Sequence, residues 1–168
     1  RKTFSAPDFV QRCQQVIQRY TFPRKLLLLE VTESQQMTRA ETEQLRLNIQ
    51  EIRENGMRVI FDDFGVGFSS FRDLQDCPMD GLKLDKKLVD NMQTDKGRII
   101  LNALVDTGHR MGLTILAEGV ESEEQIAMLQ KLHCDASQGF RFAVPLPELE
   151  ARKRILQGDR SLKDRDPE

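Results

Sequence analysis

Two adjacent carboxylates, Asp62 and Asp63, follow an apolar run from Met57 to Phe61 and precede Phe64-Gly65-Val66-Gly67-Phe68-Ser69-Ser70. The run reads as a buried strand, which places the pair at its C-terminal end. A strand alternates its side chains, so two neighbours point to opposite faces unless the backbone turns there. Gly65 and Gly67, just beyond, supply freedom to turn. Carboxylates held together repel one another, and a divalent cation relieves that repulsion. A polar turn capping a helix that begins near Ser69 would use the same residues, and this stretch alone does not separate the two.

The elements that must hold such a pair alternate between strand and helix. Ser5-Ala6-Pro7-Asp8 predicts a helix start with Ser5 as N-cap, followed by Phe9, Val10, Cys13, Val16 and Ile17 at helical spacing. Lys25 to Thr32 is a near-continuous apolar segment, expected as a parallel strand buried on both faces. Glu30 interrupts it, and Glu33 follows. Thr38-Arg39-Ala40-Glu41 is a capping box for a helix through Leu45, Ile49 and Ile52 that stops at Asn55-Gly56. After the Asp62-Asp63 strand comes a short helix from Ser70, broken by Pro78.

Leu82-Lys83-Leu84-Asp85 reads as the next strand, then a helical turn with Leu88 and Val89, then a longer helix from about Asp95 to Met111. Leu113 to Ala117 is another buried strand, with Glu118 at its end. Ser122-Glu123-Glu124-Gln125 is a second capping box, Ala136 to Phe140 a last short strand, and Pro145 and Pro147 lead into a final helix. The alternation predicts an α/β fold with a parallel sheet. Polar residues recur at the same end of successive strands: Glu30, Asp62 and Asp63, Lys83 and Asp85, Glu118, Gln138. In a β/α barrel those ends converge on one face, which carries the active site. Desolvating so many polar groups together is costly without a metal or substrate to receive them.

Composition narrows the function classes. The chain has 168 residues, net charge -2, pI near 5.8, 31% charged and 39% hydrophobic residues, which fits one folded domain and no disordered class. No basic stripe suggests a nucleic-acid polymer as partner, and the longest aliphatic run, Leu26 to Leu29, is too short for a membrane segment. Cys13, Cys77 and Cys134 have no paired spacing and are expected as free thiols in a reducing compartment. His109 and His133 are expected as surface or structural residues. The chain opens on Arg1, which suggests processing or excision from something longer.

The pattern Glu30-Val31-Thr32-Glu33-Ser34, Asp62-Asp63-Phe64-Gly65-x-Gly67-x-Ser69-Ser70, Leu82-Lys83-Leu84-Asp85, Ala117-Glu118-Gly119-Val120-Glu121 and Gln138-Gly139-Phe140 with Pro145-Leu146-Pro147 resembles the EAL domain family. The family hydrolyses cyclic di-GMP to linear pGpG with Mg²⁺ or Mn²⁺. The resemblance implies Glu30, Asp62, Asp63 and Glu118 as metal ligands, with Asp62 touching both ions. It implies Lys83 as the lysine that orients or deprotonates the attacking water, beside Glu118 in the catalytic set. Gln138 and Asp85 correspond to positions near water and substrate. Glu33 corresponds to the glutamate that holds the loop containing Phe64, Gly65, Gly67, Ser69 and Ser70, a loop that also takes part in dimer contacts. The chemistry agrees: two ions about 3.5–4 Å apart activate water and neutralise developing charge on a phosphodiester, and an all-oxygen ligand set selects hard ions. Lys83, surrounded by carboxylates, is expected to stay charged, which makes it a better orienter than a free base and leaves its role as base open.

Departures from the family shape the expectation. No Glu-Ala-Leu tripeptide occurs in the chain, and the family asparagine ahead of the first helix is absent. Val66 stands where threonine is common, and Phe142-Ala143-Val144 lacks the basic residue often found before that proline. With 168 residues against about 200–250 for a complete barrel, residues 1–157 are expected to be the C-terminal two-thirds of an EAL domain. They would form a partial (β/α) barrel of about five strands, with 158–168 a frayed charged tail. Open strand edges would make it poorly soluble or a homodimer, and inactive alone. The family further implies a bacterial cytoplasmic location and upstream sensory or cyclase domains. A degenerate module that binds cyclic di-GMP or a protein without hydrolysis is the alternative, and an unrelated Mg²⁺-dependent barrel a distant third.

Overall fold

The computed structural model describes residues 3–32, 38–64 and 77–156. Five parallel strands form one sheet in sequence order: β1 (Leu28–Thr32), β2 (Arg58–Phe64), β3 (Gly81–Leu84), β4 (Thr114–Ala117) and β5 (Ala136–Ser137). The helices are α1 (Phe9–Ile17), α2 (Arg39–Glu54), α3 (Lys86–Asn91), α4 (Asp95–Arg110), α5 (Glu123–Lys131) and α6 (Glu148–Leu156). Parallel neighbours in sequence order, with α2 between β1 and β2, α3 and α4 between β3 and β4, and α5 between β4 and β5, make this a partial β/α barrel.

Local signals act where they were expected in two helices. Thr38 caps α2: its Oγ1 accepts from Glu41 N at 3.2 Å, while Glu41 Oε2 accepts from Thr38 N at 2.8 Å. Ser122 and Gln125 make the equivalent box ahead of α5. Helix α2 ends at Asn55, and Gly56 at φ +82° turns the chain back toward β2. Its apolar face, Leu45, Ile49 and Ile52, is fully buried.

Elsewhere the folded chain corrects the expectation. Ser5 does not cap α1; the helix starts at Phe9, and Asp8 at its N-cap makes no side-chain capping bond. The segment ahead of it is fixed by tertiary contact instead. Buried Asn48 of α2 donates from Nδ2 to Phe4 O at 2.5 Å and to Ala6 O at 2.9 Å. Strand β1 is shorter than 25–32, because residues 24–26 form a 3₁₀ turn, and it is not buried on both faces. Leu28 is 45% exposed and only Val31 is buried, since β1 is an outer strand of the sheet. The last strand stops at Ser137 rather than Phe140. There the backbone runs against the β4–α5 connection so closely that a Cβ on Gly139 would stand 2.2 Å from Val120 O. The short helix expected from Ser70, together with Phe71 and Leu74, lies outside the described residues, as does 158–168.

Exposed apolar side chains gather in the segments flanking both outer strands. Tyr20, Leu26 and Leu28 lie on the β1 side, and Phe140, Val144, Leu149, Ile155 and Leu156 follow β5. Among the described residues these edges have no further strand.

At the N-terminal ends of the strands one device occurs twice. Asp80, immediately before β3, accepts from Val59 N through Oδ2 at 2.8 Å and pairs through Oδ1 with Arg53 Nε of α2 at 2.9 Å. Asp135, immediately before β5, accepts from Ile115 N at 2.7 Å and meets His109 Nε2 of α4 at 2.9 Å. Each aspartate ties a helix C-terminus to the second amide of the strand that follows that helix. His109 is therefore structural, and Cys13, Cys77 and Cys134 are free thiols. Burial alone would raise the Asp135 carboxyl, but the Ile115 amide and His109 outweigh it and hold it below the usual range.

Asp135→Asn should therefore cost about 1 kcal/mol at pH 7, moderated because the side chain is 41% exposed. A depressed native carboxyl contributes above its unfolded value of about 3.9 and loses that contribution as pH falls through the lower native value. In urea unfolding, the gap between wild type and variant should narrow on acidification. A gap unchanged at pH 3 would contradict the clamp.

Candidate metal centre and active site

The Asp62-Asp63 pair lies inside β2, not beyond its end, and the turn that the alternation rule requires occurs at Asp63 itself. Asp63 adopts φ +57°, a left-handed conformation that aspartate tolerates better than most residues. The ladder records the same event. Phe61 pairs with Leu82 and Phe64 with Leu84, so three steps on β2 match two on β3, one extra residue in a β-bulge. Phe61 and Phe64 consequently meet edge-to-face, with centroids 5.9 Å apart, although residues three apart in a regular strand point to opposite faces. Gly65 and Gly67, expected to supply the turn, lie with Glu33, Ser69 and Ser70 outside the described residues. Phe64 is buried at the end of β2.

The bulge places both carboxylates on the side of the sheet where Glu118 arrives from the end of β4. Asp62, Asp63 and Glu118 each offer an oxygen, and these lie within 4.8 Å of one another. Glu118 is placed by its backbone, since its N–H donates to Leu84 O at 3.0 Å. Gln138, just past β5, donates from Nε2 to Glu118 Oε2 at 3.1 Å.

Lys83, central in β3 and only 5% exposed, points into the same group. Its Nζ lies 2.8 Å from Asp62 Oδ1, 2.8 Å from Glu118 Oε2 and 3.1 Å from Glu30 Oε1. Burial alone would push this ammonium down; the contacts with Asp62, Glu118 and Glu30 outweigh it and hold Lys83 above its usual range. In this arrangement it is an ammonium at neutral pH. Among the described residues, Glu30 meets the site through Lys83 and falls outside the three-carboxylate group. Asp85 caps α3, accepting from Lys87 N at 2.8 Å.

Two observations test the fit of a divalent cation. Buried Asp62 Oδ1 meets Lys83 at ion-pair distance but without hydrogen-bond alignment, so it is an acceptor with no hydrogen-bond donor among the described residues. Asp63 is held above the usual carboxylate range by burial first, then by Asp62, Glu118 and Asp85, against the pull of Lys83. An all-oxygen set short of positive charge suits a hard divalent ion. Lys86, Asp90 and Gln125, at the edge of this face, were not singled out by sequence; only the Gln125 capping box pointed to any of them.

The EAL domain family model matches residues 1–145. The chain belongs to the EAL domain family. It is 35% identical over 157 residues to signaling protein YkoW of Bacillus subtilis (strain 168), covering 93% of this chain and 19% of that protein. Among solved structures it resembles the EAL domain of Mycobacterium smegmatis DcpA, with TM-score 0.83 and 29% identity over 90% of this chain and 67% of that one. It also resembles the PaMucR phosphodiesterase in complex with c-di-GMP, with TM-score 0.77 and 31% identity over 89% of this chain and 60% of that one. The chain thus spans about a fifth of YkoW. No helix among the described residues is long and apolar enough to cross a membrane.

Lys83→Met leaves Asp62, Glu118 and Glu30 facing one another without their shared cation. In EDTA it should lose about 3 kcal/mol in urea unfolding, the scale for breaking a buried pair, and Mn²⁺ should restore part of the loss. Equal stability of variant and wild type in EDTA would contradict the charge balance described.

Proposed function

We propose that this EAL domain serves a cyclic di-GMP phosphodiesterase, with Mg²⁺ or Mn²⁺ held by Asp62, Asp63 and Glu118 and with Glu30 contributing through its place beside Lys83. The observation that carries it is the bulge at Asp63, which brings two consecutive carboxylates and Glu118 together. Divalent ions bound there would polarise the phosphodiester and acidify water. Lys83, held charged, orients water and offsets negative charge on the phosphoryl oxygens. Gln138 fixes the rotamer of Glu118 and has its carbonyl oxygen for a water proton. Water opens one ester bond of the cyclic dinucleotide, giving linear pGpG. Similarity to the PaMucR phosphodiesterase–c-di-GMP complex supports this substrate. The family resemblance supports a homodimer contacting through the loop after β2, held by Glu33, and a cytoplasmic setting with sensory or cyclase partners.

A second reading is a domain that binds cyclic di-GMP or a protein without hydrolysing it.

The chain by itself should give no pGpG from cyclic di-GMP and Mn²⁺. In a longer protein that carries these residues and hydrolyses cyclic di-GMP, Asp63→Asn should lower kcat by at least about a hundredfold, the cost of ~1 Å misplacement of reacting groups. Product chromatography reads both arms. Turnover insensitive to Asp63→Asn contradicts the proposed site; Mn²⁺-dependent cyclic di-GMP binding without turnover in any context establishes the second reading.

A further inference from the structure

Glu118 is the carboxylate that β4 contributes, and the chain leaves the strand immediately after it. What keeps the following residues in place is a network outside the metal centre. Lys86, on the first turn of α3, extends across the β4–α5 connection. Its Nζ lies 3.1 Å from Asp90 Oδ1 on its own helix and 3.1 Å from Glu121 Oε1 on the connection. Asp90 Oδ1 also accepts from Gln125 Nε2 at 3.3 Å, and Gln125 Oε1 accepts from Glu121 N at 2.7 Å and Ser122 N at 3.1 Å. Gln125 is buried. The connection is therefore held from α3 by one ammonium and from α5 by one amide, with Asp90 common to both.

The fit is close as well as polar. Gly119, next to Glu118, sits at φ +70°, and a Cβ there would stand 2.5 Å from Lys86 Cγ and 2.6 Å from its Cβ. The aliphatic stem of Lys86 fills the space a side chain at 119 would need. On the far side, Val120 N donates to Gln138 O at 3.0 Å. Residues 118–121 are thus confined between the Lys86 stem and the chain after β5.

We propose that Lys86 is a positioning residue for Glu118, acting through Gly119 and Glu121 to set where the β4 carboxylate meets Asp62 and Asp63. The inference rests on the reading of that group as a metal site. Lys86 touches neither the three carboxylates nor Lys83 in any described contact, so its effect passes through the backbone of 118–121. Groups that hydrogen-bond a metal ligand directly typically set ion affinity over about ten- to a hundredfold, and Lys86, one step further out, is placed at the lower end of that range.

The test uses the purified chain with Lys86→Met, Lys86→Arg, Glu121→Gln and the double variant Lys86→Met/Glu121→Gln. Amide hydrogen exchange at Glu118 and Val120 reads the position of the connection, and Mn²⁺ titration reads the site. Lys86→Met and Glu121→Gln should each speed exchange at those amides and weaken Mn²⁺ binding about tenfold or more. The double variant should be no worse than either single change, and Lys86→Arg should restore both readouts. Exchange and affinity unchanged in Lys86→Met and Glu121→Gln overturn the proposal, as does a Lys86→Arg variant as impaired as Lys86→Met. If the wild-type chain takes up no Mn²⁺, the metal reading fails separately. The exchange rates still decide the clamp: faster rates with Lys86→Arg rescue uphold it, and unchanged rates overturn it.

Discussion

The left-handed backbone at Asp63 is the constraint on which the site depends. A non-glycine residue in that region costs about 1–3 kcal/mol and persists only where its surroundings enforce it. Here the ladder enforces it from both sides of the bulge, through Phe61 opposite Leu82 and Phe64 opposite Leu84. The edge-to-face contact of Phe61 with Phe64 closes the apolar side. Without the bulge, Asp62 and Asp63 would face opposite layers of the fold, one of them in the core. With it, two carboxylates that repel each other share one side of the sheet with Glu118.

The charge balance follows from that geometry. Asp62, Glu118 and Glu30 converge on Lys83, the one ammonium seen among them, while Asp63 lies beside the group without a close cation of its own in the described contacts. Lys83 keeps the cluster folded by pairing with three of the four carboxylates, and Asp63 is left to favour an additional cation. The opposite ends of the strands have a different task. There Asp80 and Asp135 satisfy the amides of Val59 in β2 and Ile115 in β4 and bind the helix that precedes each strand. Stability at one end of a β/α unit and chemistry at the other is the division expected of barrel folds.

What could be read from sequence was whatever is decided locally or by hydrophobic contrast. The boxes at Thr38 and Ser122 need only four residues each, and both form. Glu30, Asp62, Lys83 and Glu118 stood out because charge interrupts apolar strands, and the fold gathers them around Lys83 Nζ. The bulge was not readable, because it arises from pairing with β3 rather than from any preference of Asp63 strong enough to locate it. Ser5 has the composition of a cap, yet Asn48, more than forty residues away, fixes that segment. Leu28 looked like core because its neighbours are apolar, and its exposure follows from the outer position of β1. Nothing in the sequence singles out Lys86, and the absence of a side chain at Gly119 shows what its stem is for.

The most direct measurement is the position of Mn²⁺ by anomalous scattering from crystals of this chain grown or soaked with the ion. The account predicts one ion bonded to carboxylate oxygens of Asp62, Asp63 and Glu118, with Asp63 still left-handed. A regular β2 with Asp63 turned to the other face of the sheet, or an ion bound elsewhere while this group stays empty, would contradict it.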